Sequence, residues 1–203
     1  DVEGFDSRAF YDAMRQGAKV QTSQVPPLLY EQTMRPILEK GQDVLFIGMS
    51  SGISGSFQSA WTASRQLQSE FPERKIRLVD TLGASLGEGL LVLQAARWQQ
   101  EGVTLEESAA RLEALRGRMC QVFTVEDLRY LRATGRLSNA KAAIGTILNI
   151  KPLLKGDPQG KIVSFARIHG RKGSIRALAE QYDAYVREAE SQTVGIAHAD
   201  CAP

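Results

Sequence analysis

The residues that invite chemistry lie in one stretch, Gly48-Met49-Ser50-Ser51-Gly52-Ile53-Ser54-Gly55-Ser56, between the apolar run Val44-Leu45-Phe46-Ile47 and a helical pattern beginning at Phe57. Ligands of open α/β sheets gather at the carboxyl ends of strands, where a following helix offers free N–H groups and the positive end of its dipole. Glycines let a ligand approach the backbone, and the four serines are neutral hydroxyl donors. No Lys or Arg occurs in the stretch, and a P-loop needs a Lys to meet polyphosphate charge. The pattern therefore suits a singly charged oxyanion such as a carboxylate. The competing reading is that the serines only cap the helix, although one cap uses one serine.

Gly48-Met49-Ser50-Ser51-Gly52 also matches G-x-S-x-G, the strand–turn–helix elbow that presents a nucleophilic serine in α/β-hydrolases. A serine esterase built on Ser50 is thus the alternative function, with His198 and Asp200 as candidate partners. Against it, Ile53 to Ser56 are superfluous for an elbow and no HGGG-type oxyanion motif precedes it. Ser138-Asn139-Ala140-Lys141 matches S-x-x-K without its companion motifs, and reads as a helix cap after Gly135. His169, His198, Cys120 and Cys201 are too scattered for a metal site. No metal, cofactor or catalytic residue is expected.

The positioning elements follow from the pattern. Asp6 caps a first helix ended by Gly17, with Phe5 and Phe10 as its staple; Pro26-Pro27 open a second, which Pro36 should kink or divide. Val44 to Ile47 and Ile76 to Val79 read as buried parallel strands around a helix whose Phe57, Ala60, Trp61, Ser64 and Leu67 share a face. A nearly all-apolar helix (Ser85 to Gln100) and one boxed by Thr104 and Glu107 follow. Gln121 to Val125 reads as a strand, and Glu126 to Ala133 and Ser138 to Leu148 as helices. A hairpin turns at Gly156-Asp157-Pro158-Gln159-Gly160. A last helix should turn Ile175, Leu178, Ala179, Tyr182 and Val186 inward, and Thr193 to Ala197 should form a final strand. The fold class is α/β: a parallel sheet flanked by helices in residues 1–82, then a second, mixed α/β domain in 83–203 with its hairpin near 152–168.

The chain has 203 residues, 43% apolar and 24% charged, which excludes wholesale disorder and allows a real core. No apolar run reaches membrane-spanning length, and two isolated cysteines suit a reducing, cytoplasmic setting. The opening residues are acidic and polar, without a signal peptide, and the chain reads as a fragment trimmed at both ends. The net charge of +2 hides a basic segment: Leu128 to Arg176 holds eleven Lys and Arg against the single acid Asp157. Few aromatics lie in it, so stacking on nucleic acid is poorly supported. An acidic partner surface meeting Arg167, Arg171 and Lys172 fits better, with transient contact to a membrane surface also open.

Taken together, the motifs resemble the DegV family. Thr22-Ser23-Gln24 ahead of a proline and Ser50-Ser51-Gly52-Ile53-Ser54-Gly55-Ser56-Phe57 carry the resemblance. Val79-Asp80-Thr81 with Gly87-x-Gly89, Gly135-Arg136-Leu137-Ser138 and Leu148-Asn149-Ile150-Lys151-Pro152 continue it. Val25 intrudes in the usual T-S-Q-P run, Ser56 stands for a typical Thr, and Thr81 for a usual Ser. The family's opening aspartate–serine strand and late histidine–glycine–proline motif are missing. The resemblance implies a bacterial, cytosolic, two-domain α/β protein that holds a long-chain fatty acid between its domains, some members presenting it to a fatty acid kinase for acyl-phosphate formation; a monomer is expected. Thr22, Ser23, Ser50, Ser51 and Ser54 would hold the carboxylate, while Leu90, Phe123 and Ile144 would line a tunnel for the tail.

Overall fold

A computed structural model describes residues 4–128, 131, 134–137 and 149–201. The Asp6 carboxylate accepts from the Ala9 N–H at 2.9 Å and opens α1 (Ser7–Arg15), with the Phe5 and Phe10 rings 5.3 Å apart, as the capping pattern predicts. Pro27 begins α2 (Pro27–Glu39), where its missing N–H costs nothing. The helix runs through Pro36 without dividing. Gln32 and Pro36 are both exposed, so the carbonyl that Pro36 leaves unpaired is open to water.

Strand β1 (Val44–Gly48), helix α3 (Ser56–Glu70) and strand β2 (Ile76–Asp80) form a β–α–β unit with the strands parallel, Val44 opposite Ile76 and Gly48 opposite Asp80. Alternation along the strands assigns side chains to two cores. Val44, Phe46, Ile76 and Leu78 pack with Met34, Leu38 and Leu67 on the α2–α3 side. Leu45, Ile47 and Val79 pack with Leu91, Ala95 and Leu112 on the other side, from α4 (Leu86–Gln100) and α5 (Leu105–Arg116). Both faces of the sheet are thus covered, which is why β1 reads as a continuous apolar run. The α5 cap is as expected, the Thr104 hydroxyl accepting from the Glu107 N–H at 3.3 Å. Helices α4 and α5 follow residue 82, yet they share a core with the strands before it.

One expectation for α3 fails. Trp61 is 48% exposed, beneath the Arg65 guanidinium at 5.9 Å from its ring, while Ala60, Ala63, Ser64 and Leu67 face inward. Small residues set the close approach of α3 to its neighbours, and the indole lies off that stripe.

Strands β3 (Val122–Thr124), β4 (Ile150–Gly156) and β5 (Ile162–His169) make an antiparallel sheet in that order. At the hairpin tip the Asp157 carboxylate accepts from the N–H groups of Gln159 and Lys161, both at 2.9 Å. The core beneath joins Leu137, Leu154 and Ile162 with Phe123 and with Ile53 of the Ser/Gly loop. Helix α6 (Arg171–Tyr185) seats Ser174 and Ala177 against this sheet. Ile175, Ala179 and Tyr182, expected inward, are exposed. Ser174 and Ala177 mark the buried stripe, and Ile175, Ala179 and Tyr182 lie off it. The strand expected from Thr193 to Ala197 is not formed: among the described residues the segment has no ladder partner, and Ile196 is 88% exposed. Glu126, Asp127 and Leu128 are not helical, and the rest of the two helices expected there lies largely outside the described residues.

Candidate functional site

The loops leaving β1 and β2 are stitched together at the carboxyl end of the parallel sheet. The Thr81 N–H and hydroxyl both donate to the Gly48 carbonyl, at 3.0 and 2.8 Å, and the Ser50 N–H donates to the Gly83 carbonyl at 2.8 Å. The Asp80 carboxylate accepts from the Ser51 N–H at 3.2 Å and the Leu82 N–H at 3.0 Å. Leu82 and Ser85 take positive φ, 53° and 54°, a cost that persists only where surrounding contacts over-determine the backbone. The result is two fixed loops at the starts of α3 and α4.

The hydroxyls of this region divide into two groups. Ser50 is fully buried; its hydroxyl donates to the Gly160 carbonyl at 2.8 Å and accepts from the Gly52 N–H at 3.1 Å. Ser54 and Ser56 bond each other at 3.0 Å, Ser54 accepts from the Ser56 N–H, and Ser56 from the Val25 N–H. These serines shape the loop. Among the described residues, the hydroxyls of Thr22, Ser23 and Ser51 are exposed and without hydrogen-bond partners. They are the donors a ligand could still recruit.

Gln24 brings the Thr22–Ser23 segment here, its amide donating to the Ser59 hydroxyl at 3.1 Å. The other sequence-predicted residues are dispersed. Leu90 is half-buried on α4, Phe123 lies half-buried over the antiparallel core, and Ile144 lies outside the described residues. An apolar groove of about 220 Å³ runs between α2 and β1, lined by Val25, Leu29, Tyr30, Ile37 and Phe46 among others, but not by Leu90 or Phe123. Arg167 and Lys172 are exposed; Arg171 is half-buried, donates to the Cys201 carbonyl and lies 3.9 Å from Glu126. Among the described residues no group of His, Cys, Asp and Glu could hold a metal ion, and no helix is long and apolar enough to cross a membrane.

Sequence reasoning missed three contributors. Gly160 closes the floor of the site from 110 residues away, a distance no local pattern spans. Arg116 donates to the Asp80 carbonyl at 2.6 Å, bringing a cation to a strand end that reads as cation-free. The Gln121 carboxamide accepts from the Ala84 N–H at 3.3 Å and fills the space that a Cβ at Gly87 would occupy. The Gly87-x-Gly89 spacing was the available signal for that last contact.

The profile of a family described as an uncharacterised protein, DegV family, matches residues 1–202. The chain belongs to the DegV family. A DegV domain-containing protein of Clostridium perfringens is 35% identical over 98% of this chain and 70% of its own length; one from Lactococcus lactis is 36% identical over 87% and 61%. A solved structure described as fatty acid binding of a DegV family protein from Thermus thermophilus superposes with a TM-score of 0.77 at 34% identity, covering 91% of this chain and 64% of that one. The Streptococcus pneumoniae fatty acid kinase B3 protein, loaded with linoleic acid, has the same fold as this chain, with a TM-score of 0.76 at 22% identity, over 89% and 63%. The chain therefore spans roughly two thirds of the length of these proteins.

Proposed function

We propose that this chain binds a long-chain fatty acid. The carboxylate is received by Thr22, Ser23 and Ser51 beside the start of α3, with Ser50 and Ser54 holding the loop in shape. The tail runs inward between the domains past Leu90 and Phe123, since each buried methylene contributes about 0.8 kcal/mol. The observation that carries the reading is the 34% identity and shared fold with the fatty-acid-binding Thermus protein. The exposed hydroxyls of Thr22, Ser23 and Ser51, unpartnered among the described residues, supply donors of the right chemistry.

Native mass spectrometry of protein purified without added lipid, followed by titration with palmitate, tests this. One acid per chain and saturable binding are expected. A lipid-free protein that palmitate does not saturate overturns it. The resemblance to the family and the exposed cations of Arg167 and Lys172 further support presentation of the acid to a fatty acid kinase in the bacterial cytoplasm. The Ser50 hydroxyl donates to a carbonyl rather than an imidazole, and that geometry supports a carrier over an esterase.

A further inference from the structure

We propose that Gln24 is the clasp that fixes the Thr22–Ser23 segment over the start of α3, and that position 55 is glycine to make room for it. This rests on the fatty-acid reading and deepens it, by naming what positions two of the receiving hydroxyls. The segment from Ala18 to Val25 is exposed at every residue and forms neither helix nor strand. A segment of that kind keeps one arrangement only where specific contacts tie it down. Two contacts do so. The Gln24 amide donates to the hydroxyl of Ser59, which is buried, and the Val25 N–H donates to the Ser56 hydroxyl, both at 3.1 Å.

Gly55 supplies the independent observation. Its backbone, at φ −72° and ψ −2°, is ordinary right-handed conformation that any residue adopts. No torsional demand for glycine exists there. Its lack of a side chain matters for space alone: a Cβ would overlap the Gln24 amide oxygen and lie 2.7 Å from Cδ. Gln24 and Gly55 are a matched pair, one filling what the other leaves empty. Thr22 and Ser23 stand two and one residues before the clasp, so their place beside the Ser/Gly loop depends on it. Ordering the segment before the acid arrives removes that cost from binding.

The pair allows a test in which Gln24 is displaced without being altered. Gln24→Ala, Gly55→Ala and the double variant are compared with the wild type by hydrogen exchange at the Val25 amide and by palmitate titration. Each single variant should speed Val25 exchange and weaken palmitate binding by about tenfold, the scale of a lost pre-organising contact. The double variant should be no worse than Gln24→Ala, because Gly55→Ala acts only by evicting Gln24. Unchanged Val25 exchange, unchanged palmitate affinity in both single variants, or independent and additive losses each overturn the clasp. A wild type that does not bind palmitate overturns the fatty-acid reading instead, whatever Val25 exchange shows.

Discussion

The Ser50 hydroxyl donates to the Gly160 carbonyl at 2.8 Å, tying the loop after β1 to the tip of the β4–β5 hairpin. Ile53, three residues on, packs into the core beneath the antiparallel sheet. One short loop thus exposes Ser51 on its outer side and joins two sheets on its inner side. Ser50 belongs to the inner side, and its proton is committed to a carbonyl that cannot act as a base.

Ser50→Ala leaves the Gly160 carbonyl and the Gly52 N–H without their shared partner in a buried place. The expected loss is about 1–3 kcal/mol of stability, measured by urea unfolding. Turnover of small nitrophenyl esters should be absent in the wild type and the variant alike. Ester hydrolysis that this substitution abolishes would restore the nucleophile reading.

Two glycines of this junction should tolerate no side chain. Gly160 has φ +72°, and a Cβ there would overlap the Ser50 hydroxyl and lie 3.1 Å from Leu82 Cα; a Cβ at Gly52 would lie 2.5 Å from the Gln159 carbonyl oxygen. At Gly52 the obstacle is backbone, which cannot swing aside; at Gly160 it is chiefly the Ser50 side chain, which could turn away only by breaking its bond to the Gly160 carbonyl. Gly160→Ala and Gly52→Ala should each cost about 2 kcal/mol or more, from left-handed strain at the first and overlap at both. Gly117 has φ −71° and open space where a Cβ would lie. Gly117→Ala should therefore be neutral or stabilising by about 0.4–1 kcal/mol. Equal unfolding midpoints for all three variants would refute the steric account.

These junction residues mark the limit of what the sequence makes legible. The Asp6 and Thr104 caps, the two apolar strands and the Asp157 turn were readable because their causes lie within a few residues. The Ser/Gly loop was also readable as the turn between a buried strand and a helix. Which serine faces outward was not, since Ser50 is buried by contact with Gly160 of a hairpin 110 residues away. Periodicity groups side chains by face but does not say which face is covered, hence the reversed expectations at Trp61, Ile175 and Tyr182. Thr193 to Ala197 has strand-like composition, but a strand needs a neighbouring edge to bond with, and none meets it among the described residues.

Two carboxyl groups should give opposite pH signatures. Burial in the first turn of α4 pushes Glu88 above its ordinary pKa of 4.5, the helix dipole notwithstanding. The folded chain then binds a proton that the unfolded chain releases, so stability falls as pH rises from 4.5 through the folded value. Glu88→Gln should raise the melting temperature at pH 7 and leave it unchanged below pH 4. Glu70 is the reverse case, because hydrogen bonds from Arg35 at 2.6 and 3.1 Å hold its carboxyl below the ordinary range. Its contribution is present above 4.5 and lost as pH falls through the folded value. Glu70→Gln should lower the melting temperature slightly at pH 7, the pair being exposed, with the difference closing in acid. Matching slopes for the two variants would contradict these assignments.

The basic surface near the hairpin yields a prediction about encounter rather than affinity. Arg167 projects from β5 and Lys172 from the first turn of α6, both exposed, whereas Arg171 is held by the Cys201 carbonyl and Glu126. Exposed charges at the rim of an interface act mainly through association rates. If a fatty acid kinase approaches here, Arg167→Ala and Lys172→Ala should slow acyl-phosphate formation several-fold in 50 mM salt while palmitate affinity is unchanged. The difference should shrink at 300 mM salt, where screening shortens the reach of both charges. Arg171→Ala should act differently, freeing the Cys201 segment and showing as faster proteolysis near the C-terminal residues rather than as a salt-dependent rate. Loss of palmitate binding on replacing Arg167 would move that side chain from the docking surface to the fatty-acid site, and a rate insensitive to salt in all three variants would remove the docking surface from this face.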